Sequence, residues 1–136
     1  MKHFASFAIA ALLACAMAPA LAQDKVTATP VHFSKGASSA SLPGAVKGYE
    51  SAHYTLSATA GQTMRVSISG SSNANFNVFA PGDVPGAATA IGSGAVGQDW
   101  SGVLPSNGSY TVQVYQMRAT ARRGQTARYT ISFGIH

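Results

Sequence analysis

The chain has 136 residues and a formal net charge of +5 at pH 7, and 46% of its residues are hydrophobic while only 10% are charged. It contains one cysteine, Cys15, which excludes an intrachain disulfide and a cysteine-based metal site. The basic balance suits an acidic partner but is equally an ordinary solubility charge, so the position of the charges matters more than their sum.

Residues 1–22 predict a secretory signal peptide. Lys2 gives a positive start, residues 4–14 form an apolar stretch, and residues 20–22 read Ala-Leu-Ala before a polar segment. The apolar stretch is shorter than the roughly 20 residues of a membrane-spanning helix. We therefore expect cleavage after Ala22, export to the periplasm and no membrane span. The alternative is a lipoprotein lipidated at Cys15, although the residues after it stay apolar where lipoproteins usually turn polar.

Residues 23–136 are predicted to form one domain, because no linker, charge block or internal repeat divides them. Short segments rich in β-branched and aromatic residues alternate apolar and polar side chains, and glycine, proline and serine separate them. They predict about eight strands, over residues 26–33, 39–46, 53–58, 64–69, 76–79, 100–104, 110–116 and 127–133. The predicted fold class is all-β, a single antiparallel β-sandwich.

Groups able to carry out catalysis are scarce beyond the signal peptide, and they are widely spaced. The carboxylates are Asp24, Glu50, Asp83 and Asp99, and the histidines are His32, His53 and His136. The sequence contains neither a pair of carboxylates that would indicate acid–base chemistry nor a histidine grouping that would indicate a metal site. We therefore predict that the protein is not an enzyme and has no catalytic residue, no cofactor and no metal.

Residues 92–97 match the Gly-x-Gly-x-x-Gly pattern of dinucleotide-binding loops. That pattern is informative only inside a βαβ unit, with a helix after it and an acidic residue further along the chain. The sequence provides neither, so we interpret this segment as a flexible loop.

The strongest sign of a binding surface is the connection between the last two predicted strands. Arg118, Arg122, Arg123 and Arg128 lie close together there, in a connection longer than the two to five or so residues of an ordinary hairpin loop. One helical turn would direct Arg118 and Arg122 to the same side, where two guanidinium groups can pair with carboxylates. A solvated hairpin loop is the alternative.

A second candidate is Tyr49, which follows Lys47 and Gly48 in the connection after the second predicted strand. This tyrosine either covers the edge of the core or is exposed. An exposed tyrosine is a rigid, amphipathic anchor of the kind that binding sites use.

At these positions the sequence resembles the family of periplasmic inhibitors of g-type (goose-type) lysozyme. The resemblance covers nearly all of the chain after the signal peptide. It rests on Phe-x-Lys-Gly-x-Ser-Ser-Ala at 33–40, Lys-Gly-Tyr at 47–49, Leu-Pro-x-x-Gly-x-Tyr at 104–110 and Gln-x-Arg-x-x-Ala-Arg at 116–122. The third motif is also similar to that of prepeptidase C-terminal β-sandwich modules, so it bears on fold more than on function.

The resemblance implies a β-sandwich that blocks the peptidoglycan-binding cleft of a lysozyme and so protects bacterial peptidoglycan. It assigns partner contacts to Tyr49, Arg118 and Arg122, and we add Lys47 and Arg123 because they neighbour these residues. We favour g-type lysozyme as the partner, with i-type next, because the Ser-Gly dipeptides of this chain lack the nearby tyrosine of the sister families.

The main alternative function is a carbohydrate or cell-surface binding module of the prepeptidase C-terminal type. Nucleic acid would suit the arginine cluster, but the expected export argues against that partner. The sequence does not indicate the oligomeric state.

Overall fold

A computed structural model describes residues 25–136 of the chain. The expected signal peptide and Cys15 lie outside the described residues. The described part contains nine strands and one short helix: β1 Val26–Pro30, β2 Ser39–Lys47, β3 Ser51–Ala58, β4 Thr63–Gly70, β5 Asn75–Phe79, β6 Gly92–Ala95, β7 Trp100–Val103, β8 Gly108–Tyr115, α1 Arg118–Arg122 and β9 Thr126–Ile135. Within this range, no helix has the length and apolar character needed to cross a bilayer.

The alternation of side chains produces a sandwich of two sheets with the core between them. On β8, for example, Tyr110, Val112 and Val114 are fully buried, whereas Thr111 and Gln113 between them are partly exposed. One sheet has the strand order β1-β3-β8-β5-β6, and the other has the order β2-β9-β4-β7. The predicted all-β sandwich is therefore confirmed.

The edge strand β1 departs from the expected antiparallel arrangement. It pairs in parallel with β3, with Val26 opposite Ser51 and Pro30 opposite Thr55. A parallel pair requires a connection that crosses over, and here the chain passes through β2 of the other sheet between β1 and β3. The other strand pairs of both sheets in the described residues are antiparallel.

Two tyrosines connect the sheets through the core. The hydroxyl oxygens of Tyr54 on β3 and Tyr129 on β9 lie 2.7 Å apart and share a hydrogen bond. Gly44 on β2 leaves room for this arrangement, because a Cβ atom there would overlap the Tyr129 ring. Burial raises the pKa of both hydroxyls above the ordinary value of 10.0, so both remain neutral and can satisfy each other inside the core.

The prediction of a flexible loop at residues 92–97 was wrong in part, because Gly92–Ala95 forms strand β6 and pairs with β5. Its glycines serve close packing: a Cβ atom at Gly94 would overlap the Phe76 ring, and one at Gly92 would overlap the Trp100 indole. The rings of neighbouring strands cover β6, which has no large side chains of its own. The usual sequence signal of a strand is therefore absent at these residues.

The Leu-Pro motif before β8 has a structural role. The Tyr110 hydroxyl donates to the carbonyl oxygen of Ser106 at 2.6 Å and accepts from the Ser106 backbone N–H at 3.2 Å. The Asn107 side-chain oxygen accepts a hydrogen bond from the backbone N–H of Ala60 at 2.7 Å. These contacts fix the turn into β8 against the neighbouring β3–β4 turn, so this motif determines fold rather than binding.

Candidate protein-binding site

The predicted helical turn is present in the connection between β8 and β9. We call residues 116–125 the arginine connection. Its helix α1 spans Arg118–Arg122 and buries Ala121, which is only 2% exposed, while Arg118 and Arg122 remain exposed. A helix of one turn is not stable by itself, and no side chain caps its N-terminus. Its position therefore depends on the contacts of the residues around it.

The second candidate segment is the turn between β2 and β3, residues 47–50, which we call the tyrosine turn. The turn closes through a hydrogen bond from the Glu50 N–H to the Lys47 carbonyl oxygen at 3.0 Å, and the Glu50 carboxylate accepts from the Lys47 N–H at 3.1 Å. Gly48 has a φ of +57°, a conformation that favours glycine. Tyr49 is 49% exposed, so it does not cover the core.

Gln116 joins the tyrosine turn to the arginine connection. Its side-chain Nε2 donates to the carbonyl oxygens of Gln125 at 2.6 Å, Val46 at 3.1 Å and Gly48 at 3.5 Å. The backbone N–H of Gly48 also donates to the Gln125 carbonyl oxygen at 2.8 Å. The two segments are therefore hydrogen-bonded to each other at one end of the sandwich, where Lys47 ends β2 opposite Thr126, the first residue of β9.

The structure thus brings the two predicted segments together. Each of the five predicted contact residues lies in or next to them and is exposed; these are Lys47, Tyr49, Arg118, Arg122 and Arg123. Arg128, the fourth arginine of the cluster, lies further along β9 opposite Ala45 and is also exposed.

The charge of this end is mostly uncompensated among the residues that the structure describes. Among residues 25–136, the one salt bridge joins Arg65 to Asp99 at 2.9 Å, and Arg65 lies on β4 opposite Gly134, toward the other end of the sandwich. The guanidinium groups of Arg118 and Arg122 are therefore available to an external carboxylate.

Two grooves of the described structure lie away from the five predicted contact residues. A groove of about 340 Å³ near His32 and Ser109, and a smaller one of about 160 Å³ near Arg65 and His136, contain none of the five predicted contact residues. The described residues include no cluster of three or more histidine, cysteine, aspartate or glutamate side chains that could hold a metal ion. The five predicted contact residues are exposed, which suits contact with a macromolecular surface.

Gln116 was not among the predicted site residues, although it is the first residue of the fourth motif, two positions before Arg118. Its position directly after the alternating residues of β8 was the available signal, but nothing in the sequence tells which polar residue is buried. Gln116 is only 6% exposed.

No protein-family model matches the chain. The inhibitor of g-type lysozyme from Escherichia coli (strain K12) is 35% identical to it over 105 residues, which cover 77% of this chain and 78% of that protein. The chain belongs to the family of inhibitors of g-type lysozyme. The resemblance identified from the sequence motifs is therefore confirmed.

A solved structure from this inhibitor family has the same fold. The crystal structure of PliG from Aeromonas hydrophila, a periplasmic lysozyme inhibitor of g-type lysozyme, matches with a TM-score of 0.81 and 57% identity, covering 83% of this chain and 99% of that one. The pre-peptidase C-terminal domain of a Bacillus anthracis collagenase matches at 13% identity with a TM-score of 0.54, over 81% of this chain and 95% of that domain. The second likeness concerns the fold alone.

Proposed function

We propose that this protein is a periplasmic, non-catalytic inhibitor of g-type lysozyme that binds the enzyme's active-site cleft and so protects peptidoglycan. The observation that carries the proposal is the hydrogen-bonded contact between the tyrosine turn and the arginine connection. This contact places an exposed tyrosine beside several guanidinium groups that have no salt-bridge partner in residues 25–136, on one edge of a family member. The proposal favours g-type over i-type lysozyme because the named relatives are inhibitors of the g-type enzyme.

The chemistry of a lysozyme cleft complements this edge. Such a cleft holds an acidic catalytic residue and binds sugar rings. A guanidinium group can donate two parallel hydrogen bonds to a carboxylate, and Arg118 and Arg122 are free to do so. A tyrosine ring can occupy a surface that otherwise stacks against a sugar, and the half-exposed ring of Tyr49 is available for this contact. Inhibition by this route needs no chemical step.

The five contact residues are expected to contribute unequally. Arginine and tyrosine dominate interfaces when they are desolvated at the centre, whereas charges at the rim mainly affect the association rate. We assign the central contacts to Tyr49, Arg118 and Arg122. We assign rim contacts to Lys47, the first residue of the tyrosine turn, and to Arg123, which follows helix α1.

The test is a titration of the exported, purified protein against g-, i- and c-type lysozymes in a cell-wall lysis assay. The proposal expects strong inhibition of the g-type enzyme and weak or no inhibition of the other two. Inhibition of i-type lysozyme alone would contradict the class. Lysis that is unaffected in all three assays would contradict the function.

A further inference from the structure

We call the surface formed by the tyrosine turn and the arginine connection the inhibitory edge. We infer that Gln116 is the positioning residue of this edge: it holds Tyr49 and Arg118 in their binding geometry before lysozyme binds. This inference rests on the proposed function and extends it to a residue that touches no partner. The conformational cost of ordering two surface segments would otherwise be subtracted from the binding free energy.

The Gln116 amide joins backbone carbonyl groups near the tyrosine turn to one in the arginine connection. One nitrogen atom contacts carbonyl oxygens of Val46 at the end of β2, Gly48 in the tyrosine turn and Gln125 at the end of the arginine connection. Gln125 is distant in sequence from Val46 and Gly48, and in the described structure the backbone has only one hydrogen bond of its own between the two segments, from Gly48 to Gln125. The side chain is thus the main cross-link between the two contact segments.

The Gln116 side chain is buried. Gln116 is 6% exposed, so water competes poorly for its hydrogen bonds, and a polar group that loses them would remain unsatisfied. The adjoining helix α1 buries only Ala121, which gives the arginine connection little apolar anchorage of its own. The geometry of Arg118 therefore depends on polar contacts such as those of Gln116.

The oxygen atom of the same amide differs from its nitrogen atom. Within the described residues, the Gln116 Oε1 atom is buried and has no hydrogen-bond partner. A buried acceptor without a partner opposes folding. It offsets part of the stability that the Nε2 hydrogen bonds provide, so the amide contributes position more than it contributes global stability.

The inference predicts what happens when the Nε2 donor of Gln116 is lost. Gln116→Met keeps the length of the side chain without a hydrogen-bond donor, and Gln116→Glu keeps its shape while replacing the donor with an acceptor. Both variants should inhibit g-type lysozyme at least about tenfold more weakly than the wild-type protein. The matched control is Gln113→Met, on the outward side of β8, which should change inhibition by less than about twofold.

Two further readouts separate positioning from general stability. In the Gln116→Met variant, the backbone amide of Gly48 should exchange with deuterium faster than in the wild-type protein, while core amides of β8 exchange as before. In a double-mutant cycle, Arg118→Ala should cost less inhibition in the Gln116→Met background than in the wild-type background, because an arginine that is no longer positioned has less to lose. A loss caused only by partial unfolding would be additive.

The outcomes are distinguishable. If the wild-type protein inhibits lysozyme and folded Gln116→Met and Gln116→Glu variants inhibit it equally well, the positioning role is wrong and the proposed function stands. Additive effects of Gln116→Met and Arg118→Ala, or unchanged exchange at Gly48, would also overturn the positioning role. If the wild-type protein inhibits no lysozyme, both the function and this inference fail.

Discussion

The backbone N–H of Gly48 donates a 2.8 Å hydrogen bond to the carbonyl oxygen of Gln125. These residues belong to the tyrosine turn and the arginine connection, and the bond makes the two segments one surface. Gly48 has a φ of +57°, and an ideal Cβ atom there would lie 3.5 Å from the Ala121 carbonyl oxygen of helix α1, an ordinary van der Waals contact. Packing at Gly48 thus links backbone conformation to the placement of the arginines.

We therefore expect Gly48→Ala to affect both stability and inhibition. A non-glycine residue in the left-handed region costs about 1 kcal/mol, and the turn can relieve this strain only by changing its backbone conformation, which would shift it relative to α1. Inhibition should weaken by between about two- and tenfold. The matched control is Gly61→Ala, where φ is +87° and no atom lies within 4 Å of the added Cβ. It should lose similar unfolding free energy and leave inhibition unchanged; equal inhibition by both variants would contradict the expectation.

Tyr49 should matter for binding and hardly at all for folding. Its side chain is 49% exposed, so Tyr49→Ala is expected to change the free energy of unfolding by no more than about 0.5 kcal/mol. Loss of a central aromatic contact should cost about 2 kcal/mol of binding free energy. Tyr49→Phe keeps the ring and should retain most of the inhibition. Calorimetric titration with g-type lysozyme measures the binding free energy of both variants, and thermal unfolding measures their stability. A large fall in melting temperature for Tyr49→Ala would show that the ring is structural.

The buried tyrosine pair predicts sensitivity to alkaline pH. Burial raises the pKa of Tyr54 and Tyr129 in the folded state, so the folded protein binds these protons more tightly than the unfolded chain. The resulting stability is complete below the ordinary tyrosine pKa of 10.0 and is lost as pH rises above it. The free energy of unfolding should not fall through these groups between about pH 7 and 9, but should fall steeply above about pH 10.

Replacing both tyrosines tests that explanation. Tyr54→Phe alone leaves the Tyr129 hydroxyl without its partner and should cost about 1 to 3 kcal/mol. The double variant Tyr54→Phe, Tyr129→Phe removes both polar groups and should lose less stability at alkaline pH than the wild-type protein does. An unchanged alkaline slope in urea unfolding of the double variant would assign the effect to other groups.

The sandwich could be predicted where strands present alternating side chains. On β8 and β9 each strand has one apolar face, and both were predicted close to their observed bounds. Strand β6 carries glycine, serine and alanine only, so its pairing depends on rings from Phe76 and Trp100 that sequence periodicity cannot connect to it. The parallel pairing of β1 with β3 depends on a crossover through the other sheet, which local patterns do not encode.

The candidate site was predictable in its exposed parts. Charge clustering and excess loop length indicated Arg118 and Arg122, and the family motif indicated Tyr49. Gln116 differs because its importance follows from contacts of one amide with two segments that are distant from each other in sequence. The alternation of β8 places Gln116 on the inward side, but no sequence pattern tells which acceptors its side chain reaches. The hydrogen bonds of Gln116 that join the two segments therefore became evident only from the structure.

The most direct test of the inhibitory edge is the affinity of the double variant Arg118→Ala, Arg122→Ala for g-type lysozyme, with Arg65→Ala as control. Both arginines are exposed, so the melting temperature should change little, while affinity should fall about a hundredfold or more if they pair with cleft carboxylates. Arg65 lies toward the opposite end of the sandwich in a surface ion pair, so its replacement should leave affinity unchanged. A folded double variant that inhibits at wild-type strength would contradict the assignment of this edge.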